Sequence, residues 1–134
     1  MEAFFVIPMK PTGKGRPRLG GGGVVYTPTK TKAYENFIKA CYVEQCDGIH
    51  FGDKYIALEV VAYMPVLTKF KKAEKAAALR GEIKPTGKPD ADNILKAILD
   101  ALNEFAYDDD RYIYKVTIER IYDENPRTEV RIKD

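Results

Sequence analysis

Histidine and cysteine are scarce in this chain, and no apolar run is long. His50 is the only histidine, and it lies in a polar turn, where an isolated residue is expected to carry no chemistry. Cys41 and Cys46 are the only cysteines, and their spacing is neither a zinc nor a redox pattern. At positions i and i+5 of one helix they are poorly placed to bridge, so reduced thiols in a cytoplasmic protein are expected. No apolar run approaches the ~18 residues that span a bilayer, which excludes a membrane-spanning helix. The first residues, Met1 to Pro8, lack the basic start and cleavage site of a signal peptide.

What is present suits a globular fold. A chain of 134 residues with 45% apolar residues can build a core, and a single domain over 1–134 is expected. The net charge of +2 hides a segregation. From Met1 to Ala40 the bases Lys10, Lys14, Arg16, Arg18, Lys30, Lys32 and Lys39 face only Glu2 and Glu35. From Val66 to Lys88 the bases Lys69, Lys71, Lys72, Lys75, Arg80, Lys84 and Lys88 face only Glu74 and Glu82. From Pro89 to Asp110 the balance reverses, with Lys96 the only base. Basic blocks favour a polyanion, and an acidic block favours a cation.

Patterning gives the elements. Ala3 to Ile7 reads as a strand ended by Pro8. Lys10 to Arg18 is broken repeatedly by proline and glycine, and Gly20 to Gly23 continues as a loop tip before a short strand at Val24 to Tyr26. Thr29 or Thr31 caps a helix running to about Val43. Tyr55 to Met64 alternates, with Ile56, Leu58, Val60, Ala62 and Met64 on one face of a half-buried strand. Phe70 to Arg80 reads as an exposed lysine- and alanine-rich helix, and Glu82 to Lys88 as a loop. Asn93 to about Asn103 reads as a helix, Tyr112 to Tyr122 as a long strand, and Arg127 to Ile132 as a last strand. The fold class expected is α/β in the two-layer α+β sense, a small mixed sheet with helices packed on it.

The helix opened by Lys88-Pro89-Asp90-Ala91-Asp92-Asn93 carries the chemistry. Helical geometry advances ~100° per residue. With Asp92 at zero, Asn93, Lys96 and Asp100 fall between roughly 40° and 100°. Ile94, Leu95, Ile98, Ala101, Leu102 and Phe105 fall between roughly 180° and 300°. One side docks and the other shows a polar row. An acid at a helix start is most often a cap, favoured by the dipole. Two acids flanking one residue, with Lys96 one turn on, point further. A second cluster, Asp108-Asp109-Asp110, follows the helix, and an extended Glu104 to Asp110 of roughly 20 Å can return to its start.

Carboxylates are hard oxygen ligands suited to Mg²⁺ or Mn²⁺. An EF-hand loop from Asp90 fails, because Leu95 stands where glycine is needed and Ala101 where glutamate is needed. Metal-binding acids beside phosphate-binding bases suggest metal-assisted hydrolysis of a phosphodiester. Lys96 either neutralises charge developing on the phosphate or holds the carboxylates apart. A lone His50 leaves little basis for a histidine-based alternative.

Lys14, Arg16 and Arg18 stand on an open Gly-Lys-Gly-Arg-Pro-Arg backbone, with Lys30 after them, and suit phosphate contacts that position a substrate without reading sequence. The run is no P-loop, since it lacks the Gly-Lys-Ser/Thr ending. Lys69, Lys71, Lys72 and Lys75 offer a second basic surface.

The stretch Lys88 to Asn103, with its Asp90-Ala91-Asp92-Asn93-Ile94-Leu95-Lys96 core, followed by Tyr107-Asp108-Asp109-Asp110, resembles the signature of the RusA family of Holliday junction resolvases. Lys14-Gly15-Arg16-Pro17-Arg18, Tyr26 to Thr31 and the block Lys71 to Gly81 resemble forms found in phage and prophage members. The likeness spans nearly the whole chain. It implies a Mg²⁺-dependent endonuclease, with Mn²⁺ a possible substitute, that nicks four-way DNA junctions as a homodimer in recombination and repair. It implies Asp90, Asp92 and a third acid as metal ligands, Lys96 as the family's essential lysine, and Asn93 as a polar neighbour at the DNA. In the family an Asp-Asp pair precedes a variable residue, a polar residue and Ile or Val. Asp109-Asp110-Arg111-Tyr112-Ile113 fits that register, which favours Asp110, with Asp109 next. DNA contacts are expected from Lys14, Arg16, Arg18, Lys30, Lys71 and Lys72. A branched-DNA binding protein without cleavage is the alternative, in which the acids only cap and solubilise.

Overall fold

The computed structural model describes residues 1–15, 18–23, 25–26 and 29–134, and of residues 18, 25 and 26 the backbone alone. A mixed four-stranded sheet carries the fold, in the order β1 (Glu2–Ile7), β6 (Arg127–Lys133), β4 (Ile56–Pro65), β5 (Ile113–Asp123). β6 runs antiparallel to both β1 and β4, whereas β4 and β5 are parallel. The parallel pair needs a crossover, and α2 (Lys72–Leu79) and α3 (Ala91–Leu102) lie in it. α1 (Thr29–Cys46) connects the first strands to β4. This is the α+β two-layer class expected from the pattern.

Alternation decides which face is covered. Ile56, Leu58, Val60, Ala62 and Met64 are buried, as are Phe5 and Ile7 on β1 and Val130 and Ile132 on β6. Tyr34, Ile38, Cys41 and Tyr42 of α1 and Ile94, Ala97, Ile98, Ala101 and Leu102 of α3 close onto them in one cluster. Fully burying side chains such as Ile94, Ile98 and Leu102 contributes about 1.5–3 kcal/mol each. The opposite face stays half open: Arg127 stacks 3.8 Å over the Tyr63 ring and Arg131 4.9 Å over Phe4.

Boundaries shift at the ends. α1 continues past Val43 to Cys46, because buried Tyr42 and Cys46 extend its inner stripe. α3 starts at Ala91, since Asp90 caps it. A short 3-10 turn, Asp110–Tyr112, precedes β5 and delays its start to Ile113. Arg18–Leu19 (β2) and Val25–Tyr26 (β3) pair antiparallel, so the end of the glycine-rich basic segment forms a small ribbon rather than an open loop. Both cysteines are free and buried, as expected of reduced thiols. No helix among the described residues is long and apolar enough to cross a membrane.

Candidate active site

α3 explains itself locally. Asp90 is its N-cap, with extended backbone, and its Oδ1 accepts from the Asn93 N–H at 2.9 Å. The structural role of an acid at a helix start is therefore real for Asp90. It does not consume the residue, because Asp90 is exposed and lines an open cleft of about 1100 Å³. Asp92, Asn93, Lys96 and Asp100 line the same cleft from α3, and Lys88 and Pro89 from the approach to it. Gly13, Lys14 and Gly15 form the facing wall.

That wall is pinned, not loose. The Lys14 N–H donates to the Asn93 carbonyl at 3.1 Å, and the Gly15 N–H donates to the Thr31 hydroxyl at 3.0 Å. A Cβ on Gly13 would stand 2.9 Å from the Pro89 Cβ and 3.1 Å from the Asn93 Cβ. Glycine is needed there because the backbone lies directly on the start of α3.

Two lysines of the cleft, Lys96 and Lys14, meet carboxylates. Lys96 Nζ lies 3.4 Å from Asp92 Oδ2, one turn away on the helix. Lys14 donates to Asp100 and lies 3.6 Å from Glu35. The hydrogen bond to Asp100, then the charges of Asp100 and Glu35, raise the Lys14 ammonium above its ordinary value. Both pairs are open to solvent and contribute little stability. Their significance is chemical: Asp92 and Asp100 already sit against cations.

The chain does turn back after α3. Glu104 adopts a left-handed backbone (φ 64°), and the Asp108 N–H donates to the Gly52 carbonyl at 3.0 Å. The Asp110 N–H donates to Asn103 Oδ1 at 3.0 Å, and Asp109 Oδ1 accepts from the Arg111 N–H at 2.8 Å. The return thus reaches the C-terminal end of α3. Partial burial, then the charges of Asp109 and Asp100, raise the Asp110 carboxyl above its ordinary value. Asp100 is two turns from Asp92, ~12 Å along the axis at 1.5 Å per residue. The acids therefore form a row, with Asp90 and Asp92 at one end, Asp100 in the middle, and Asp109 and Asp110 at the other. Among the described residues, no three carboxylates, histidines or cysteines stand close enough together to hold a metal ion.

The donor set is carboxylate oxygen, which fits a hard divalent cation such as Mg²⁺ or Mn²⁺. Two further observations fit it. Lysines occupy the cationic positions beside Asp92 and Asp100, and Asp110 carries like-charge repulsion that a cation would relieve.

Three further residues named from sequence are not among those lining the cleft. Lys30, Lys71 and Lys72 are exposed on α1 and α2. Arg16 lies outside the described residues, and Arg18 is described by its backbone alone. His50 accepts from the Gly52 N–H at 3.0 Å, which gives it a turn-forming role. Sequence reading placed Asp100 on the polar row but missed its pairing with Lys14. It counted Glu35 only in the charge balance and missed its approach to Lys14, which has no local signal. It also missed Tyr107, whose buried hydroxyl has no hydrogen-bond partner among the described residues. Burial, then the charges of Asp110, Asp100 and Asp109, raise that phenol.

Fold and cleft together define a small two-layer α+β protein with an acidic helix set in a basic frame. Residues 8–133 match the family model of endodeoxyribonuclease RusA. The chain belongs to the RusA endodeoxyribonuclease family. It is also 31% identical over 134 residues to "Uncharacterized protein YqaN" of Bacillus subtilis (strain 168), across 97% of this chain and 94% of that one.

Proposed function

We propose that this protein is a Mg²⁺-dependent, structure-specific endonuclease that resolves four-way DNA junctions by paired nicks, acting as a homodimer in recombination and repair. The observation that carries the reading is the cleft itself, where Asp90 and Asp92 open onto a wall made by the basic segment at Lys14. Asp90 and Asp92 would hold the metal at the start of α3, and Asp110, with Asp109 beside it, would become the third ligand only where cation binding draws the two ends of the row together. A bound divalent cation supplies an activated water and stabilises the leaving 3′ oxygen. Lys96 orients Asp92 through their ion pair, and its ammonium, in the same cleft, would neutralise charge developing on the phosphate. Asn93 fixes the floor twice, through its N–H on Asp90 and its carbonyl on Lys14. Lys14 would hold a DNA phosphate at the acidic cleft, and Arg16, Arg18, Lys30, Lys71 and Lys72 would add further phosphate contacts.

A second reading, junction binding without cleavage, is favoured by one observation: Asp90 is engaged as a cap and Asp92 in an ion pair. One experiment separates the two. A synthetic four-way junction is incubated with the protein and Mg²⁺, Mn²⁺ or chelator. Metal-dependent nicking at paired positions is expected. Tight binding with no nicking under any metal would leave the second reading standing.

A further inference from the structure

The two edges of the sheet are treated differently. At β1 the outward main chain is occupied: Gln45 of α1 accepts from the Val6 N–H at 2.8 Å and donates to the Val6 carbonyl at 2.7 Å. Cys46 Sγ lies 3.3 Å from the Phe4 carbonyl. β5, at the other edge, has no strand on its outer side among the described residues. It is the longest strand, and Tyr114 to Thr117 and Glu119 are exposed along it, Tyr114 by 69% and Val116 by 38%. A long open edge with apolar side chains invites another strand.

We infer that β5 is the dimer surface and that its occupant is β5 of a second copy, paired antiparallel with Thr117 on the two-fold axis. The strand is self-complementary about that residue. In this register Lys115 faces Glu119 of the other copy on the open face of the sheet, and Val116 faces Ile118 on the helical face. A two-fold repeats each contact, so two ion pairs and two apolar pairs form. The sheet then runs continuously through both copies. All helices join the core on one face of the sheet, so both copies of α3 lie on the same side of the joined sheet. Arg120 on β5 donates to the Gly87 and Pro89 carbonyls at 2.7 and 3.3 Å, which ties the entry to α3 to this strand. Both acidic clefts are thereby held from the interface strand.

The inference rests on the dimeric reading of the proposed function, and its test is independent of cleavage. Sedimentation velocity should show a dimer for the wild-type chain. Glu119→Lys places like charges at both ionic contacts and should weaken dimerisation at least about tenfold. Lys115→Glu combined with Glu119→Lys should restore it. Thr117→Cys should cross-link two chains on mild oxidation, whereas Val43→Cys, at an exposed site on α1, should not. A monomeric wild type, an unchanged Glu119→Lys dimer or a Thr117→Cys variant that fails to cross-link overturns the inference. A dimer that meets these criteria yet never nicks a junction overturns the endonuclease reading alone.

Discussion

α3 and α2 are both short helices of the β4 to β5 crossover, yet they are built in opposite ways. α3 buries Ile94, Ala97, Ile98, Ala101 and Leu102, and its charged residues are confined to one edge. α2 buries Ala78 alone and shows Lys71, Lys72 and Lys75 to solvent. Its start is secured by local means, the Lys71 N–H donating to Glu74 Oε1 at 3.0 Å. The difference separates two tasks. Chemistry needs groups held to fractions of an ångström, so the acids ride on a helix rooted in the core. Phosphate attraction acts over several ångströms and tolerates a lightly anchored carrier.

The largest effect is expected from a change of charge on α3 that leaves its shape unchanged. Asp92→Asn should keep junction binding and lose cleavage by more than about 100-fold, since even outer-sphere partners of a metal are worth 10–100-fold. Nicking assays beside gel shifts measure both, and wild-type cleavage in this variant would remove Asp92 from the site. Next comes the root. Ile98→Ala should cost about 2–5 kcal/mol in urea unfolding, whereas Ala77→Gly on α2 should cost about 1 kcal/mol. Equal costs would mean that α2 is as deeply anchored as α3.

Removing the charges of α2 should act on binding alone. Lys71→Ala with Lys72→Ala should weaken junction affinity and lower the slope of log K against log salt by about 1.8, at 0.9 per phosphate contact. An unchanged slope takes α2 out of the interface. The smallest effect concerns the floor beneath α3. Burial pushes the Tyr42 phenol of α1 up to about 12, and its ring packs edge-on to Phe105 just after α3. The folded state keeps this proton after the unfolded chain has released it near pH ~10. Stability should therefore fall as pH rises from about 10 through about 12. Tyr42→Phe should flatten that decline in a denaturation series.

Much of this was legible beforehand. The wheel on Asp92 separated the docking face of α3 from its polar row, and every residue assigned to the buried side is at least half buried. Alternation at Ile56 to Met64 identified the core face of β4 for the same reason: a period of two maps directly onto burial. The edge position of β5 was not legible. Its sequence alternates as an inner strand does, and strand order is set by the crossover rather than by the strand. The ribbon between β2 and β3 was hidden because glycine and proline report what a segment cannot be, not what it pairs with.

The amino-acid sequence by itself determined the segregation of charge, the amphipathic acidic helix and the kinds of ligand it offers. These depend on composition and on helical periodicity, which are local. Tertiary structure alone decided that Lys14 reaches Asp100, that Asp110 returns to the far end of α3, and that β5 rather than β1 is left open. Each of these joins residues remote in sequence, and only the packing of the sheet against α1 and α3 brings them within contact.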